Sequence, residues 1–578
     1  MILQALNEYY QRKSDDPDSD IAPEGFEHKE IPYILVLDES GELINIEDTQ
    51  YTVNKKNRAQ TFLVPKGEKR SSGIKAYLLW DNVEYVLGVV AKGKPERVFE
   101  QHEAFKEKII ELELSHDVGV NAVLRFLQKS PQSILENCEY KKEFLDKVPF
   151  VTFRMNGDTE LVCQRKAVID ALKNPSYGDS GGKVGFCLVS GEFDKLAMTQ
   201  YAVKGVRGTN TTGGNIVSFN KHAFEYYGKK QGANAPMGEK ASFSYTTALN
   251  HLLGKDSKQK LQVGDATTVF WSDRKNHLEN DFNALFDEPA KDNPDQLVET
   301  VKALLKSVDT GVFPPEDRET RFFILGLSPN VARISVRFWH VGTVYEFSEK
   351  IAQHFHDLEL VHGAKQREYL SLWWLLRSLA AQGKTENIPP NLAGEWMRTI
   401  LNGSPYPETL LQSALRRIHS ERVVSYERAA IIKACLNRKN RFHVQPEKEM
   451  TVSLDIDNTN PGYRIGRLFA ALEKIQEEAS PGLNATIRDR YYASASGTPA
   501  NVFPILLRMK NHHLGKLEKR REIYFEKLLS EVMGAIDAEG FPAQLNLSDQ
   551  GRFAIGYYHQ RQNFFTKSDK TKAENSGE

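Results

Sequence analysis

The sequence has few cysteines, and they are not arranged to bind a metal. Its 578 residues include four cysteines and no Cys-x-x-Cys pair. This spacing excludes the common zinc motifs and a disulfide framework. We therefore expect four reduced thiols in or near hydrophobic cores, where free cysteines usually lie. They are Cys138, Cys163, Cys187 and Cys435.

Long apolar runs are also missing. No stretch approaches the ~20 apolar residues that a transmembrane helix needs. The first residues lack the basic, apolar and small-residue succession of a signal peptide, and they predict a short amphipathic helix instead. These features predict a cytoplasmic protein that does not associate with a membrane.

An excess of charge of one sign is absent, because the formal net charge is −1. Proteins that bind nucleic acid are often basic overall, so this value argues mildly against that class. Local clusters matter more than the sum, and a subunit of an assembly can meet nucleic acid on one surface only. With 40% hydrophobic residues, the chain has ample material for folded cores.

The motifs of common enzymes are absent as well. There is no Gly-Lys-Ser/Thr phosphate loop and no Gly-x-Ser-x-Gly elbow. His354, His356 and Asp357 resemble part of a metal-dependent phosphohydrolase site, but we find no further ligands for them. Asp455 and Asp457 lack the glycine and closing glutamate of a calcium loop. We expect no catalytic residue, no metal and no cofactor.

The order of the patterns predicts an α+β protein. A mixed β/α N-terminal domain is predicted over residues 1–285, and a linker and middle α/β region over residues 286–445. In the middle region, alternation places Ile334, Val336 and Phe338 on one face of a strand. An all-α helical bundle is predicted over residues 446–566, and a disordered polar tail over residues 567–578.

Two groups of residues in the first domain have the composition of a nucleic-acid contact. Two polar loops hold six cations within residues 55–70, with Glu68 as the one acid, and Lys75 follows. A glycine-rich stretch at 204–220 lets backbone N–H groups approach a phosphate. The alternative for both stretches is an ordinary solvated surface loop. The candidate DNA-binding residues are Lys55, Lys56, Arg58, Lys66, Lys69, Arg70, Lys75, Lys204, Arg207, Asn210, Thr211 and Thr212.

A third basic region lies in the predicted C-terminal bundle. Residues 488–527 hold nine cations against four acids, with apolar residues at helical spacing. One face would be core and the other basic, which suits a single strand held by its phosphates. The alternative is an ordinary solvated helix. The candidate residues are Arg508, Lys510, Lys516, Lys519, Arg520 and Arg521.

An ordered set of short motifs spans nearly the whole chain. It begins with the first ten residues and Trp80-Asp81-Asn82, and it continues with the stretch from Lys204, Tyr226-Tyr227-Gly228 and Asn234-Ala235-Pro236. Later motifs lie at residues 322–328, 332–337, 401–407, 463–469 and 501–504. Together these motifs resemble the large subunit of the type I-C CRISPR Cascade complex. The chain departs from the expected pattern after Lys204, at Thr209 to Thr212.

The resemblance implies a non-catalytic subunit that works with CRISPR RNA and target double-stranded DNA. Such a subunit recognises the protospacer-adjacent motif, aids duplex opening and R-loop formation, and holds the displaced strand. Its implied partners are the backbone, RNA-processing and small subunits and the helicase–nuclease. The resemblance also implies that a small subunit starts inside the same gene, for which Met450 is the candidate start.

Two other functions stay open from the sequence. One is a metal-dependent nuclease or phosphohydrolase that uses His356 and Asp357. The other is a scaffold that contacts only protein, whose assembly would show no salt-dependent binding of nucleic acid.

Overall fold

The computed structural model describes residues 1–53, 56–67, 70, 73–129, 138–172, 183–210, 212–288, 293, 295–331, 333–534, 536 and 540–575. The chain divides into two compact units. Unit 1 comprises Met1–Lys204 and Asn210–His251, and unit 2 comprises Gly205–Thr209 and Leu252–Glu578.

Unit 1 is built around a mixed sheet with the strand order β3-β2-β8-β7, in which β2 and β8 are parallel. Strand β2 has five consecutive buried apolar residues because helices and loops cover both of its faces. The strands of unit 1 are β1 (Phe26–Glu30), β2 (Tyr33–Leu37), β3 (Leu43–Asp48), β4 (Gln50–Val53), β5 (Lys56–Ala59), β6 (Thr61–Pro65), β7 (Trp80–Asn82), β8 (Phe150–Met155), β9 (Val184–Phe186) and β10 (Phe193–Lys195).

The crossover between β2 and β8 contains the helices that cover this sheet. Helix α4 begins where the Asp117 carboxylate accepts a hydrogen bond from the backbone N–H of Val120. Three antiparallel pairs, β1–β6, β4–β5 and β9–β10, lie outside the main sheet. The helices are α1 (Ile2–Ser14), α2 (Val83–Leu87), α3 (Pro95–Ile110), α4 (Val118–Gln128), α5 (Lys141–Lys147), α6 (Lys166–Leu172) and α7 (Glu239–Leu252).

Unit 2 begins with an antiparallel sheet and continues with helices. The strand order is β11-β12-β13-β14. A bulge at Arg337 breaks the predicted alternation, because Val336 pairs with Leu327 whereas Phe338 pairs with the adjacent Gly326. Ile334 is buried, whereas Val336 is exposed. The strands are β11 (Lys260–Val263), β12 (Ala266–Ser272), β13 (Arg321–Asn330) and β14 (Arg333–Thr343).

The helices of unit 2 share one hydrophobic core with this sheet. Helix α15 (Pro461–Ala479) is buried over most of its length, and the four helices that follow it in the chain all pack against it. Its other helices are α8 (His277–Phe286), α9 (Gln296–Thr310), α10 (Val344–Leu358), α11 (Leu372–Leu379), α12 (Pro390–Asn402), α13 (Glu408–Glu421) and α14 (Tyr426–Arg441). The C-terminal helices are α15 (Pro461–Ala479), α16 (Ile487–Gly497), α17 (Pro499–Leu514), α18 (Lys519–Met533) and α19 (Leu547–Asn575).

The predicted α+β class is confirmed. The division of the chain differs from the predicted boundaries near 285 and 445, because β12 pairs with β13 and the C-terminal helices share a core with the middle helices. Helix α19 extends through most of the segment predicted to be a disordered tail. Among the described residues, no helix is both long and apolar enough to cross a bilayer.

Candidate nucleic-acid interface

The first basic loop of the sequence overlaps strand β5 of the β4–β5 hairpin. Arg58 lies on β5 opposite Tyr51, and its side chain is half-buried. Thr52 donates a hydrogen bond to the Asn57 side chain across the same pair of strands, 3.0 Å. Lys56 is the first residue of β5, and Lys55 lies outside the described residues. The structure therefore places Arg58 within a regular pair of strands.

Lys66, in the second loop, does not project into solvent. Its Nζ lies 3.4 Å from the centre of the Tyr201 ring and 4.2 Å from that of Phe243. Burial lowers the pKa of Lys66 to about 7. The faces of the two rings partly replace the lost hydration of the ammonium. This lysine was a candidate DNA contact, and the structure instead encloses it between aromatic side chains.

Arg70 is also held inside unit 1. Its guanidinium forms an ion pair with the fully buried carboxylate of Asp81 and packs over the rings of Tyr77 and Tyr85. Its Nε donates to the carbonyl of Lys75, 2.7 Å. Arg70 thus has a structural role, whereas the Lys75 side chain is exposed. Lys69 lies outside the described residues.

Lys204 belongs to a cluster of charges that the sequence did not predict. Its Nζ lies 3.7 Å from a carboxylate oxygen of Glu27, and its side chain is 54% exposed. Lys29, two residues after Glu27 on β1, places its Nζ 4.1 Å from the Phe150 ring centre. Burial, with the nearby charge of Lys204, lowers the pKa of Lys29. The period of two along β1 puts residues 27 and 29 on one face, and this alternation is the signal that could have identified the pair.

The glycine-rich stretch forms a closed loop. Val203 and Gly214 exchange two backbone hydrogen bonds of 2.8 and 2.9 Å at its base. Gly205 and Gly213 have φ values of +90° and +84°, and a Cβ at either position would meet a backbone oxygen at 2.6 Å or less. These two positions therefore need glycine.

The exposed side of this loop carries the predicted residues. Val206 is buried, whereas Arg207, Asn210 and Thr212 are exposed. The backbone N–H of Arg207 donates to the Thr267 hydroxyl, 3.0 Å, which fixes the start of its side chain. Thr211 lies outside the described residues. The loop thus presents one cation and two polar side chains from a constrained backbone.

The predicted basic helices are α17 and α18. Phe503, Leu506, Phe525 and Leu529 face the core, and most of the predicted cations lie on the opposite faces. Arg521 differs, because it forms two hydrogen bonds of 2.9 and 2.6 Å with the Glu478 carboxylate. The remaining candidates that are exposed or half-buried are Arg508, Lys510, Lys516, Lys519 and Arg520.

The residues considered for catalysis are held by other groups. Both oxygens of Asp357 are bound by arginines, Arg438 and Arg441, at 2.6 Å each. His354 is buried against Tyr406, and burial lowers its pKa well below the usual value. The Nε2 of His356 lies 3.4 Å from a carboxylate oxygen of Asp309, so the neighbour of this ring is Asp309 and not Asp357. Within the described ranges, no group of three or more His, Cys, Asp or Glu side chains is arranged to hold a metal ion.

These observations define an α+β protein in which exposed cations occupy loops, at Lys75, Lys204 and Arg207, and the helices α17 and α18. A comparison with protein families identifies it further. The chain belongs to the Cas_Csd1 family of CRISPR-associated proteins, whose model matches residues 6–565. This match confirms the resemblance to the type I-C large subunit. A comparison with curated proteins finds no match.

Proposed function

We propose that the chain is the non-catalytic large subunit of a type I-C Cascade complex. In this role it recognises the protospacer-adjacent motif in double-stranded DNA, aids duplex opening and R-loop formation, and recruits the helicase–nuclease. It also holds the displaced strand. The observation that carries the proposal is the closed loop between Val203 and Gly214, with Arg207, Asn210 and Thr212 exposed.

A constrained loop of this composition suits contacts with a DNA groove. The backbone N–H of Arg207 is held by the 3.0 Å hydrogen bond to Thr267, so little backbone entropy is lost at this residue when its side chain binds. Arginine binds phosphates and guanine edges, and asparagine binds adenine edges. The loop can therefore both position the duplex and read bases.

The exposed cations of α17, α18 and the segment between them support the proposal that this surface holds the displaced strand. The exposed cations are Arg508 on α17, Lys516 between the two helices, and Lys519 and Arg520 on α18. The apolar faces of both helices are buried. Such a surface attracts a phosphate backbone without sequence preference. The strand would pass over these helices without requiring Arg521, which is paired with Glu478.

The absence of catalysis in this proposal rests on the way Asp357 is bound. A metal-dependent nuclease needs carboxylate oxygens that are free to bind a cation. Both oxygens of Asp357 accept hydrogen bonds from arginines inside unit 2. We therefore assign Asp357 to the core of unit 2.

The test replaces loop residues and measures DNA binding by the assembled complex. We expect Arg207→Gln to weaken binding and to lower the slope of log affinity against log salt by about 1 if it contacts a phosphate. We expect Asn210→Ala to cost about 1–3 kcal/mol and to relax motif choice if it contacts a base. The measurement is binding to duplexes that differ only in the adjacent motif, at several salt concentrations.

Arg416→Gln is the matched control, because Arg416 is an exposed arginine on α13 of unit 2. It should leave affinity, salt slope and motif choice unchanged. Binding that is unaffected by Arg207→Gln together with Asn210→Ala would refute the role of the loop.

A further inference from the structure

Two tyrosines of unit 1 lie on a tight turn and project into solvent. The backbone N–H of Lys229 donates to the carbonyl of Tyr226, 3.0 Å, and closes the turn. Tyr227 and Gly228 between them have φ values of +50° and +68°. Positive φ at both central residues is typical of a type I′ turn, in which bulky residues are rare. The turn therefore holds a large aromatic residue in a backbone conformation that disfavours it.

The side chain of Asn234 fixes both ends of this turn. Its Oδ1 accepts a hydrogen bond from the N–H of Tyr226, 2.9 Å, and its Nδ2 donates to the carbonyl of Lys229, 2.8 Å. Nearby, the N–H of Gly232 donates to the carbonyl of Met198, 2.9 Å, and a Cβ on Gly232 would meet the Ala197 oxygen at 2.2 Å. The turn is thus attached at two places, and its rings project from a rigid base.

The rings themselves contribute little to the fold. Tyr226 is 69% exposed and Tyr227 is 84% exposed, with ring centres 4.3 Å apart and planes at 72°. Aromatic residues usually bury most of their surface, and strained residues persist where the surrounding structure imposes them, often at functional sites. An exposed pair on a strained turn therefore indicates a ligand outside unit 1.

The charges around the turn indicate the chemistry of that ligand. Residues 221–230 include three lysines and one glutamate. Lys221, Lys229 and Lys230 are exposed, whereas Glu225 is half-buried and lies 3.6 Å from the His222 ring. Exposed rings beside cations are the combination that binds single-stranded nucleic acid, through base stacking and phosphate attraction. An apolar protein surface would not require the lysines.

We infer that the turn at Tyr226 and Tyr227 is a stacking site for unpaired nucleobases of a single strand, with Lys221, Lys229 and Lys230 attracting the adjacent phosphates. The inference rests on the proposed function, in that the chain binds nucleic acid. It adds a base-contacting site in unit 1, separate from the closed loop between Val203 and Gly214 and from α17 and α18.

The test separates base contacts from phosphate contacts. The full chain is titrated with two fluorescent single strands of equal length, one with all its bases and one with abasic positions at its centre, and anisotropy gives each affinity. Wild type should bind the complete strand more tightly. Tyr226→Leu with Tyr227→Leu should lose about 5- to 100-fold in affinity for the complete strand, the range that loss of aromatic stacking produces, and little for the abasic strand.

Two further variants identify the contribution of the rings. Tyr226→Phe with Tyr227→Phe keeps the rings and should retain the preference for the complete strand. Replacement of Lys221, Lys229 and Lys230 by Gln should weaken both strands by a similar factor. Because the side chains are exposed, each variant should melt at the wild-type temperature.

The outcomes are distinguishable. If wild type binds neither strand, the stacking site is refuted, whereas the proposed function is judged separately by duplex binding of the assembled complex. If wild type binds but the leucine variant keeps the full preference for the complete strand, the stacking site alone is refuted. A leucine variant that loses affinity for both strands equally would also refute it, because the tyrosines would then act through the fold of the turn and not through contact with bases.

Discussion

The ammonium of Lys66 is removed from water and contacts two aromatic rings. Its burial makes the stability of unit 1 depend on pH. Its pKa falls to about 7, from an unfolded value near 10.5. Between these values the unfolded chain binds the proton and the folded chain releases it, so the free energy of unfolding rises with pH. Below pH 7 both states are protonated and the full cost of burying the charge is present.

The prediction for this residue concerns Lys66→Met, which removes the charge and keeps most of the volume. The variant should gain stability over wild type most strongly at pH 6 to 7. That gain should shrink by as much as about 1.4 kcal/mol per pH unit toward pH 9. Urea unfolding at several pH values measures it. Lys75→Met, at an exposed lysine, is the control and should show no such trend; a gain from Lys66→Met that does not change with pH would contradict the buried charge.

At the same scale, the sequence identified which stretches are basic but not which cations are free. Lys66, Arg70 and Arg521 were expected to face nucleic acid, and they face Tyr201, Asp81 and Glu478 instead. The partners of Lys66 and Arg521 lie 135 and 43 residues away in the chain. Spacing along one sequence cannot reveal such pairs. Exposure of Arg207, Asn210 and Arg520 agrees with what the sequence indicated.

At the scale of elements, α15 and α19 approach each other through glycines. A Cβ on Gly466 would meet the backbone oxygen of Phe553 at 2.1 Å, and one on Gly556 would meet that of Tyr463 at 2.0 Å. Apolar spacing predicted helical structure at 463–479, but it could not predict this close contact. Glycine lowers the helix propensity of each segment. Its contribution is the close backbone contact between the two helices, which exists only in the packed structure.

We predict that Gly466→Ala destabilises unit 2 by about 1–3 kcal/mol, because the backbones of α15 and α19 must separate. Gly394→Ala in α12 is the matched control, since a Cβ there meets nothing within 4 Å. It should be neutral or stabilise by about 0.5–1 kcal/mol through helix propensity. Denaturant unfolding of the two variants measures both effects. Equal effects of the two substitutions would show that the helices do not pack this closely.

On the scale of the whole molecule, the C-terminal helices pack against one another and also against the middle helices of unit 2. Helices α16 to α19 surround α15, as the predicted separate bundle requires. Helix α19 also packs against α13 and α14, and the Asn437 side chain forms two hydrogen bonds with the backbone of Met450. The sequence indicated the bundle from its helical patterns. It could not indicate the shared core, because contacts between elements do not follow from periodicity.

Helix α19 packs against α15 on one side and against α13 and α14 on another. Substitutions on the two sides can therefore test whether residues 450–578 fold without the rest of the chain. Gly551 lies against Ile432, Leu411 and Leu436, which a fragment of residues 450–578 lacks. Gly551→Leu should therefore destabilise the full chain by about 1–3 kcal/mol through overpacking. In the fragment it should be tolerated, because the opposing residues are gone and leucine favours a helix.

Gly466→Ala provides the comparison, because its partner Phe553 is present in both chains. It should destabilise the full chain and the fragment alike. Thermal unfolding followed by circular dichroism measures all four variants against their parents. We expect the fragment to be helical and less stable than the same helices in the full chain, since α19 loses α14. A fragment without helical structure, or one that Gly551→Leu destabilises as much as the full chain, would show that residues 450–578 do not form this bundle by themselves.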